Sequence, residues 1–121
     1  MKTILLAEDD SFIVDIYGSQ LRREGYKVIV AVDGKMALEK IRANYPDLVI
    51  LDIGLPKMTG WEVLQELRND PKTEHVNVIV ISNYDRKNFE SEIARYSVIK
   101  YFLKVQTTIE EIINVVKEIT I

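Results

Sequence analysis

Short apolar segments alternate along this chain with segments of helical periodicity, and no other feature limits its fold as strongly. Each strand-like run is followed by a segment in which apolar residues recur every three to four positions. This alternation favours a parallel sheet with right-handed crossovers and helices on both faces. The predicted strands are Thr3–Ala7, Tyr26–Val32, Asp47–Leu51, Val76–Ile81 and Ile99–Leu103.

The intervening segments have the ends expected of helices. Asp10 precedes the first of them and is well placed as its cap, which we favour over metal binding, and Gly25 is placed to end it. In the last helix, the apolar residues between Ile109 and Val116 have the i, i+3, i+4, i+7 spacing of an amphipathic helix. The predicted helices are Ser11–Glu24, Asp33–Ala43, Trp61–Leu67, Arg86–Tyr96 and Thr108–Ile119.

Charges within the strands indicate their order in the sheet. Central parallel strands are buried on both faces and read as unbroken apolar runs, which fits the first and third strands. Lys27 and Lys100 interrupt the second and fifth strands, and such charges protect exposed edges. The order 2-1-3-4-5 satisfies both conditions. It predicts an α/β fold: a doubly wound, five-stranded parallel sheet of the flavodoxin-like type, with its switch point between strands one and three.

Composition favours one soluble, cytoplasmic domain spanning residues 1–121. That length is close to the commonest domain size. The absence of cysteine excludes disulfides and thiolate metal sites. No apolar run approaches the length of a membrane span, and the N-terminal run is too short for a signal peptide. The net charge of −3 and the lack of a basic stripe argue against direct DNA binding.

Chemically active side chains follow every predicted strand except the second. Glu8 and Asp9 follow the first strand, Asp52 the third, Ser82 the fourth and Lys104 the fifth. Parallel strands point the same way, so these residues gather on one edge of the sheet, where ligands bind in open α/β folds. Crowded carboxylates repel one another unless a cation compensates their charge. The pattern therefore predicts a site for a hard cation and a phosphate.

Mg²⁺ suits this group because it prefers oxygen ligands and keeps several waters. We predict that Asp9 and Asp52 are ligands, that Glu8 acts through water, and that the backbone carbonyl of Gly54 supplies a further oxygen. Asp52 is then the candidate nucleophile toward a phosphoryl group.

Two further residues complete the predicted chemistry of the phosphoryl group. Lys104 would pair with the transferred group as a mobile point charge. Ser82 would donate a hydrogen bond to it, and the added charge would draw the Ser82 loop inward.

Four motifs at the predicted strand ends carry a family resemblance: Leu6-Ala7-Glu8-Asp9-Asp10, the Asp52 segment 47–60, Val80-Ile81-Ser82 and Tyr101-Phe102-Leu103-Lys104. With these motifs in this order, the chain resembles a receiver domain of two-component response regulators over its full length. The resemblance is to a stand-alone receiver domain of the chemotaxis-regulator type. Members of that family have the 2-1-3-4-5 strand order, so the predicted strand order and the family resemblance are not independent of each other. The resemblance implies that a histidine kinase or phosphotransfer protein passes a phosphoryl group from phosphohistidine to Asp52. It implies a signalling switch whose only chemistry is its own phosphorylation and dephosphorylation.

The resemblance also implies that Tyr101 turns inward when Ser82 engages the phosphoryl group. The surface expected to change comprises the segments Arg86–Tyr96, Ile99–Leu103 and Thr108–Ile119. An unknown downstream protein, or a second copy of the chain in a homodimer, would bind this surface.

The chain departs from the family pattern at three places. Val105 replaces the proline that usually follows the lysine, so we expect a trans Lys104–Val105 bond and a reshaped loop, since a cis bond there costs about 2.5–4 kcal/mol. Asn83 occupies a position that is usually very small and is expected to narrow access to Asp52. Ser97-Val98 is expected to change how the preceding helix docks.

Other interpretations remain open from the residues alone. Lys104 could be a surface lysine and Tyr101 a packed edge residue. Val105 and Asn83 leave open a phosphorylation-independent interaction module with a receiver fold. A Mg²⁺-dependent phosphohydrolase would commonly need a second Asp two residues after the nucleophile, where this chain has Gly54. His75, the only histidine, is interpreted as a surface residue.

Overall fold

The computed structural model describes residues 1–121 as a five-stranded parallel sheet with helices on both faces. The strands lie in the order β2-β1-β3-β4-β5, which confirms the predicted fold class and order. In chain order the elements are β1 Thr3–Ala7, α1 Ser11–Arg23, β2 Lys27–Ala31, α2 Gly34–Asn44, β3 Leu48–Asp52, α3 Gly60–Asn69, β4 Val78–Ser82, α4 Glu90–Arg95, β5 Lys100–Leu103 and α5 Ile109–Ile119, with 3₁₀ turns at Arg86–Asn88 and Lys104–Gln106.

The sheet separates two apolar cores. Successive strand residues point to opposite faces, so Leu5 packs on one side of β1 while Ile4 and Leu6 pack on the other. The first core contains buried residues of α2 and α3, and the second contains those of α1 and α5. Strands β3 and β4 are buried at every position, whereas Lys27 and Lys100 are exposed on the two edge strands. The expected edges are therefore confirmed.

Side chains cap the helices that lead away from the carboxyl end of the sheet. The Asp10 carboxylate accepts hydrogen bonds from the backbone N–H groups of Phe12 and Ile13, which confirms its capping role. Asp33 caps α2 in the same way. Gly25 follows α1 with φ of 92°, a conformation that favours glycine.

The prediction of one helix over residues 86–96 is wrong. A 3₁₀ turn is separated from α4 by Phe89, whose φ of −134° and ψ of 24° lie outside the helical region. The Asp85 side chain caps the turn, but no side chain caps α4 and none of its residues is buried. Other boundaries also shift. Strand β4 begins at Val78 and includes Ser82, and α3 extends beyond the predicted Trp61–Leu67.

None of the helices combines the length and apolar character required to cross a membrane.

Candidate functional site: the carboxyl edge of the sheet

A polar cavity of about 340 Å³ opens at the carboxyl edge of the sheet. All the predicted site residues except Tyr101 line it, because β1, β3, β4 and β5 end there side by side. The lining residues are Glu8, Asp9, Asp10, Asp52, Ile53, Gly54, Ser82, Asn83, Tyr84 and Lys104.

Two of the cavity's carboxylates are buried. Glu8 is 0% exposed and Asp52 is 6% exposed, whereas Asp9 is exposed at the mouth of the cavity. Oxygen atoms of these three residues lie within 4.8 Å of one another. Buried charges of one sign at this separation repel one another unless a cation compensates them or one carboxyl group takes up a proton.

Lys104 supplies a positive charge between the two buried carboxylates. Its Nζ lies 3.0 Å from Glu8 Oε2 and 3.1 Å from Asp52 Oδ2. Burial by itself lowers the pKa of Lys104, but the hydrogen bond to Glu8 and the charge of Asp52 outweigh burial and raise that pKa above its usual value. The ammonium group is therefore charged at neutral pH.

The surroundings of Glu8 favour its neutral form, whereas those of Lys104 favour its charged form. Burial, followed by the nearby charge of Asp52, raises the pKa of Glu8 above its usual value of 4.5, although Lys104 and the Asp10 N–H oppose this shift. The Asp10 N–H donates to Glu8 Oε1 at 3.1 Å, which fixes the orientation of the carboxyl group. The environment of Glu8 thus favours its protonation.

Both oxygens of Asp52 have donors. Oδ1 accepts a hydrogen bond from Gly54 N at 2.9 Å, and Oδ2 accepts one from Lys104. The loop that follows Asp52 returns to its own starting point, because Gly60 N donates a hydrogen bond to Ile53 O at 3.0 Å. A Cβ on Gly60 would lie 2.6 Å from Ile53 Cα, so only glycine permits this return. The Asp52 carboxylate is held at the end of a central strand by a closed loop.

The donor set fits a hard divalent cation. It consists of carboxylate oxygens, with Gly54 lining the same cavity, and contains no sulfur or imidazole ligand. One exposed and two buried carboxylates, open to solvent on one side, leave room for the waters that Mg²⁺ retains.

A chain of hydrogen bonds connects Ser82 to Tyr101. The buried Ser82 Oγ accepts a hydrogen bond from Tyr84 N at 2.9 Å, and the Tyr101 hydroxyl donates to the carbonyl oxygen of Tyr84. The half-buried Tyr101 ring lies 6.5 Å from the ring of Phe89, between centroids. The backbone of Tyr84 makes both connections. The role of Tyr84 was not predictable from the sequence, because no side-chain pattern marks a backbone contact.

The departures from the family pattern can be located in the structure. The Lys104–Val105 bond is trans, as expected, and Val105 is exposed in a 3₁₀ turn while Lys104 still reaches both carboxylates. Asn83 is exposed and lines the cavity. Ser97 has a left-handed φ of 54° and Val98 is buried in the first core. His75 is exposed, as expected.

The response regulator receiver domain model matches residues 4–117. The chain therefore belongs to the receiver domain family of two-component response regulators, whose members are signalling switches. It is 30% identical over 92 residues to the polar-differentiation response regulator DivK of Brucella ovis, covering 76% of this chain and 75% of DivK. It is 46% identical over 67 residues to the alkaline phosphatase synthesis transcriptional regulatory protein PhoP of Bacillus subtilis, covering 55% of this chain but only 28% of PhoP.

Solved structures agree with this assignment. A CheY-like receiver domain protein from Methanospirillum hungatei superposes with a TM-score of 0.88 at 26% identity, over 98% of this chain and 92% of that one. The receiver domain of the Francisella response regulator 1452 superposes with a TM-score of 0.89 at 28% identity, over 99% and 97% of the two chains.

Proposed function

We propose that this chain accepts a phosphoryl group on Asp52 from the phosphohistidine of a histidine kinase or phosphotransfer protein. One observation carries the proposal: Asp52 is a buried carboxylate at the end of a central strand, with an ammonium group at 3.1 Å and two more carboxylates beside it. A carboxylate held in place at this position, on the rim of an open cavity, is suited to attack an incoming phosphorus atom.

The transfer exchanges one bond to phosphorus for another. A carboxylate oxygen of Asp52 forms the new bond, and the phosphorus–nitrogen bond of the phosphohistidine breaks with its electron pair returning to the imidazole. Lys104 Nζ, which pairs with Asp52 Oδ2 in the structure, can turn to the transferred phosphoryl oxygens once the carboxylate has become an acyl phosphate.

Asp9, Asp52 and the Gly54 carbonyl would hold Mg²⁺, with Glu8 acting through water. When bound, the ion neutralises charge on the phosphoryl oxygens. The charge balance supports this assignment, since Lys104 contacts Glu8 and Asp52 while no cation contacts Asp9.

Phosphorylation is proposed to act on the surface of α4, β5 and α5 through Ser82. If Ser82 donates to the phosphoryl group, its loop moves and the hydrogen bond from Tyr84 N is lost. Movement of Tyr84 also displaces the carbonyl that holds the Tyr101 hydroxyl, which frees the ring to turn inward. A downstream protein, or a second copy of the chain, would bind the altered surface.

Labelling with acetyl phosphate, read by intact mass, tests the phosphoacceptor. Wild type should gain one phosphoryl mass in the presence of Mg²⁺ and none when the metal is chelated. Asp52→Asn should gain none under either condition. Asp10→Asn is the matched control, because asparagine preserves the helix cap and the variant should still be labelled. Labelling that persists in Asp52→Asn, or that ignores chelation, would refute the proposal.

Beryllofluoride with Mg²⁺ mimics an aspartyl phosphate and separates a working switch from an interaction module that ignores phosphorylation. The switch requires spectral changes at Ser82, Tyr84 and Tyr101 on addition of the mimic. A phosphohydrolase is disfavoured because Gly54 offers no acid or base where such an enzyme commonly has one, and we expect no turnover of small phosphate esters.

A further inference from the structure

The N-terminus of α2 is in direct contact with the loop that follows Asp52. Gly34 N donates a hydrogen bond to Pro56 O at 3.1 Å. A Cβ at position 34 would lie 2.0 Å from Met58 O and 2.6 Å from Met58 Cβ. No side chain fits between these two backbones, so any residue larger than glycine must push the loop away from α2.

The part of the loop that Gly34 contacts is a strained turn. Pro56 O also accepts a hydrogen bond from Met58 N at 2.8 Å, across Lys57, whose φ of 67° is rare for a residue other than glycine. Such a conformation persists only when its surroundings hold it in place. Gly34 provides one restraint on this turn.

Asp33 provides a second restraint on the same turn. Its Oδ1 accepts from Met36 N at 2.7 Å as the cap of α2, while its Oδ2 lies 3.6 Å from Lys57 Nζ. The Met36 hydrogen bond, with help from the charge of Lys57, lowers the pKa of Asp33, so its carboxylate is ionised at neutral pH. Asp33 and Gly34 together bind both the backbone and the side chain of the turn.

The other end of this loop forms the cavity. Gly54 N donates to Asp52 Oδ1 at 2.9 Å, and Gly60 closes the loop back onto Ile53. With its exit fixed by Gly60, the loop has little freedom to absorb a displacement at Met58 without moving Gly54. The position of the Gly54 backbone therefore depends on the contact with α2.

We propose that Gly34 is a positioning residue for the Mg²⁺ site, which it controls through the loop from Ile53 to Thr59 without contacting the ion. This inference rests on the proposed function, because the Gly54 carbonyl is a ligand only if Asp52 and its neighbours bind Mg²⁺. Residues that orient metal ligands from outside the coordination sphere change metal affinity about 10- to 100-fold when mutated. Gly34→Ala should therefore raise the Kd for Mg²⁺ by about tenfold or more.

Gly18→Ala is the matched control. Gly18 is also buried in a helix, but a Cβ there would meet only the flexible end of the Arg22 side chain, at 3.2 Å. Both variants and wild type should be titrated with MgCl₂ by isothermal calorimetry, well below their melting temperatures. The Kd of Gly18→Ala should equal that of wild type. Acetyl-phosphate labelling of Gly34→Ala should need more Mg²⁺ for half-maximal rate, whereas a purely structural defect lowers the melting temperature and leaves this requirement unchanged.

The outcomes separate this inference from the proposed function. If wild type binds Mg²⁺ and Gly34→Ala binds it equally well, the inference is overturned and the proposed function stands. If wild type binds no Mg²⁺, both are overturned. If Gly34→Ala does not fold, an NMR titration of wild type with MgCl₂ decides the question: the Gly34 and Lys57 amide signals should shift together with that of Gly54, and constant Gly34 and Lys57 signals would overturn the inference.

Discussion

The loop after β3 and the segment after β4 leave the sheet from neighbouring strands, yet they are built in different ways. The first is closed by Gly60, bound to α2 through Gly34, and followed by α3, which has a capping box and four buried residues. The second passes through a 3₁₀ turn into α4, which has six residues, no side-chain cap and no buried residue. Half-buried side chains such as Phe89 and Tyr96 provide its packing.

This difference suits a receiver domain. The group that accepts a phosphoryl group must be held in place before the reaction, because positioning supplies most of the catalysis. The segment that reports the reaction must instead change its structure at a small cost in free energy, so it comes from the least stable part of the fold. In this chain one edge of the sheet carries both kinds of structure, joined through β4.

Matched truncations of apolar side chains in α3 and α4 measure how much the packing of each helix contributes to stability. Leu64 in α3 is fully buried, so Leu64→Ala should lower the free energy of unfolding by about 2–5 kcal/mol. Ile93 in α4 is only half-buried, so Ile93→Ala should cost about 1 kcal/mol. Urea denaturation gives both values, and equal losses would show that α4 is as firmly packed as α3.

Removal of the Lys104 ammonium group tests the charge balance in the cavity. Lys104→Met leaves Glu8 and Asp52 buried without their cation and should cost about 1–3 kcal/mol at neutral pH. Lys100→Met changes an exposed lysine of the same strand and should have little effect. Urea denaturation of both variants supplies the comparison, and similar losses would mean that the Lys104 ion pairs contribute nothing specific.

The loss in Lys104→Met should depend on pH in a defined direction. Glu8 has a raised pKa in the fold, so its preference for the neutral form stabilises the protein below the unfolded pKa near 4.5, and this contribution is lost as pH rises through the folded pKa. The defect should therefore be smaller at acid pH and grow as Glu8 ionises. Adding Glu8→Gln to Lys104→Met should flatten this dependence, and a defect independent of pH would exclude Glu8 as its source.

Amide exchange with and without beryllofluoride tests which segment responds. Residues from Ser82 to Lys104 should change protection by about tenfold. Helix α2 should change little because it packs against β1 and β2, near the opposite edge of the same sheet face. Tyr101→Phe removes the donor to Tyr84 O and should reduce the change at α4. Changes confined to α2 would mean that the responding surface has been placed at the wrong edge of the sheet.

The smallest effect on the stability of the metal-free protein is expected at Asp9. Lys104 contacts the other two carboxylates but not Asp9, so Asp9→Asn should relieve residual repulsion and raise the metal-free melting temperature by about 1–3 °C, while abolishing Mg²⁺ binding. Asp15→Asn, on the exposed surface of α1, is the control for a general loss of negative charge. A lower melting temperature in Asp9→Asn without metal would show that the carboxylates are not crowded.

The sequence by itself determined the fold class, the strand order and the grouping of polar residues at one edge. These follow from local properties: apolar periodicity identified the elements, Lys27 and Lys100 marked the edges, and Asp10 marked a helix start. Once the strands are parallel, residues at their carboxyl ends must meet, so the cavity containing Asp52 followed from the topology.

Only the tertiary structure decided how distant parts of the chain touch. The bridge from Lys104 to Glu8, the backbone connection through Tyr84 and the fit of Gly34 against Met58 all join residues from different elements. The break in the helix at Phe89 also accompanies a contact between elements. The Phe89 backbone leaves the helical region, and its ring lies 5.2 Å, between centroids, from that of Trp61 in α3. Periodicity and capping act within one element, whereas these contacts depend on the distances between elements, which packing sets only when the whole chain has folded.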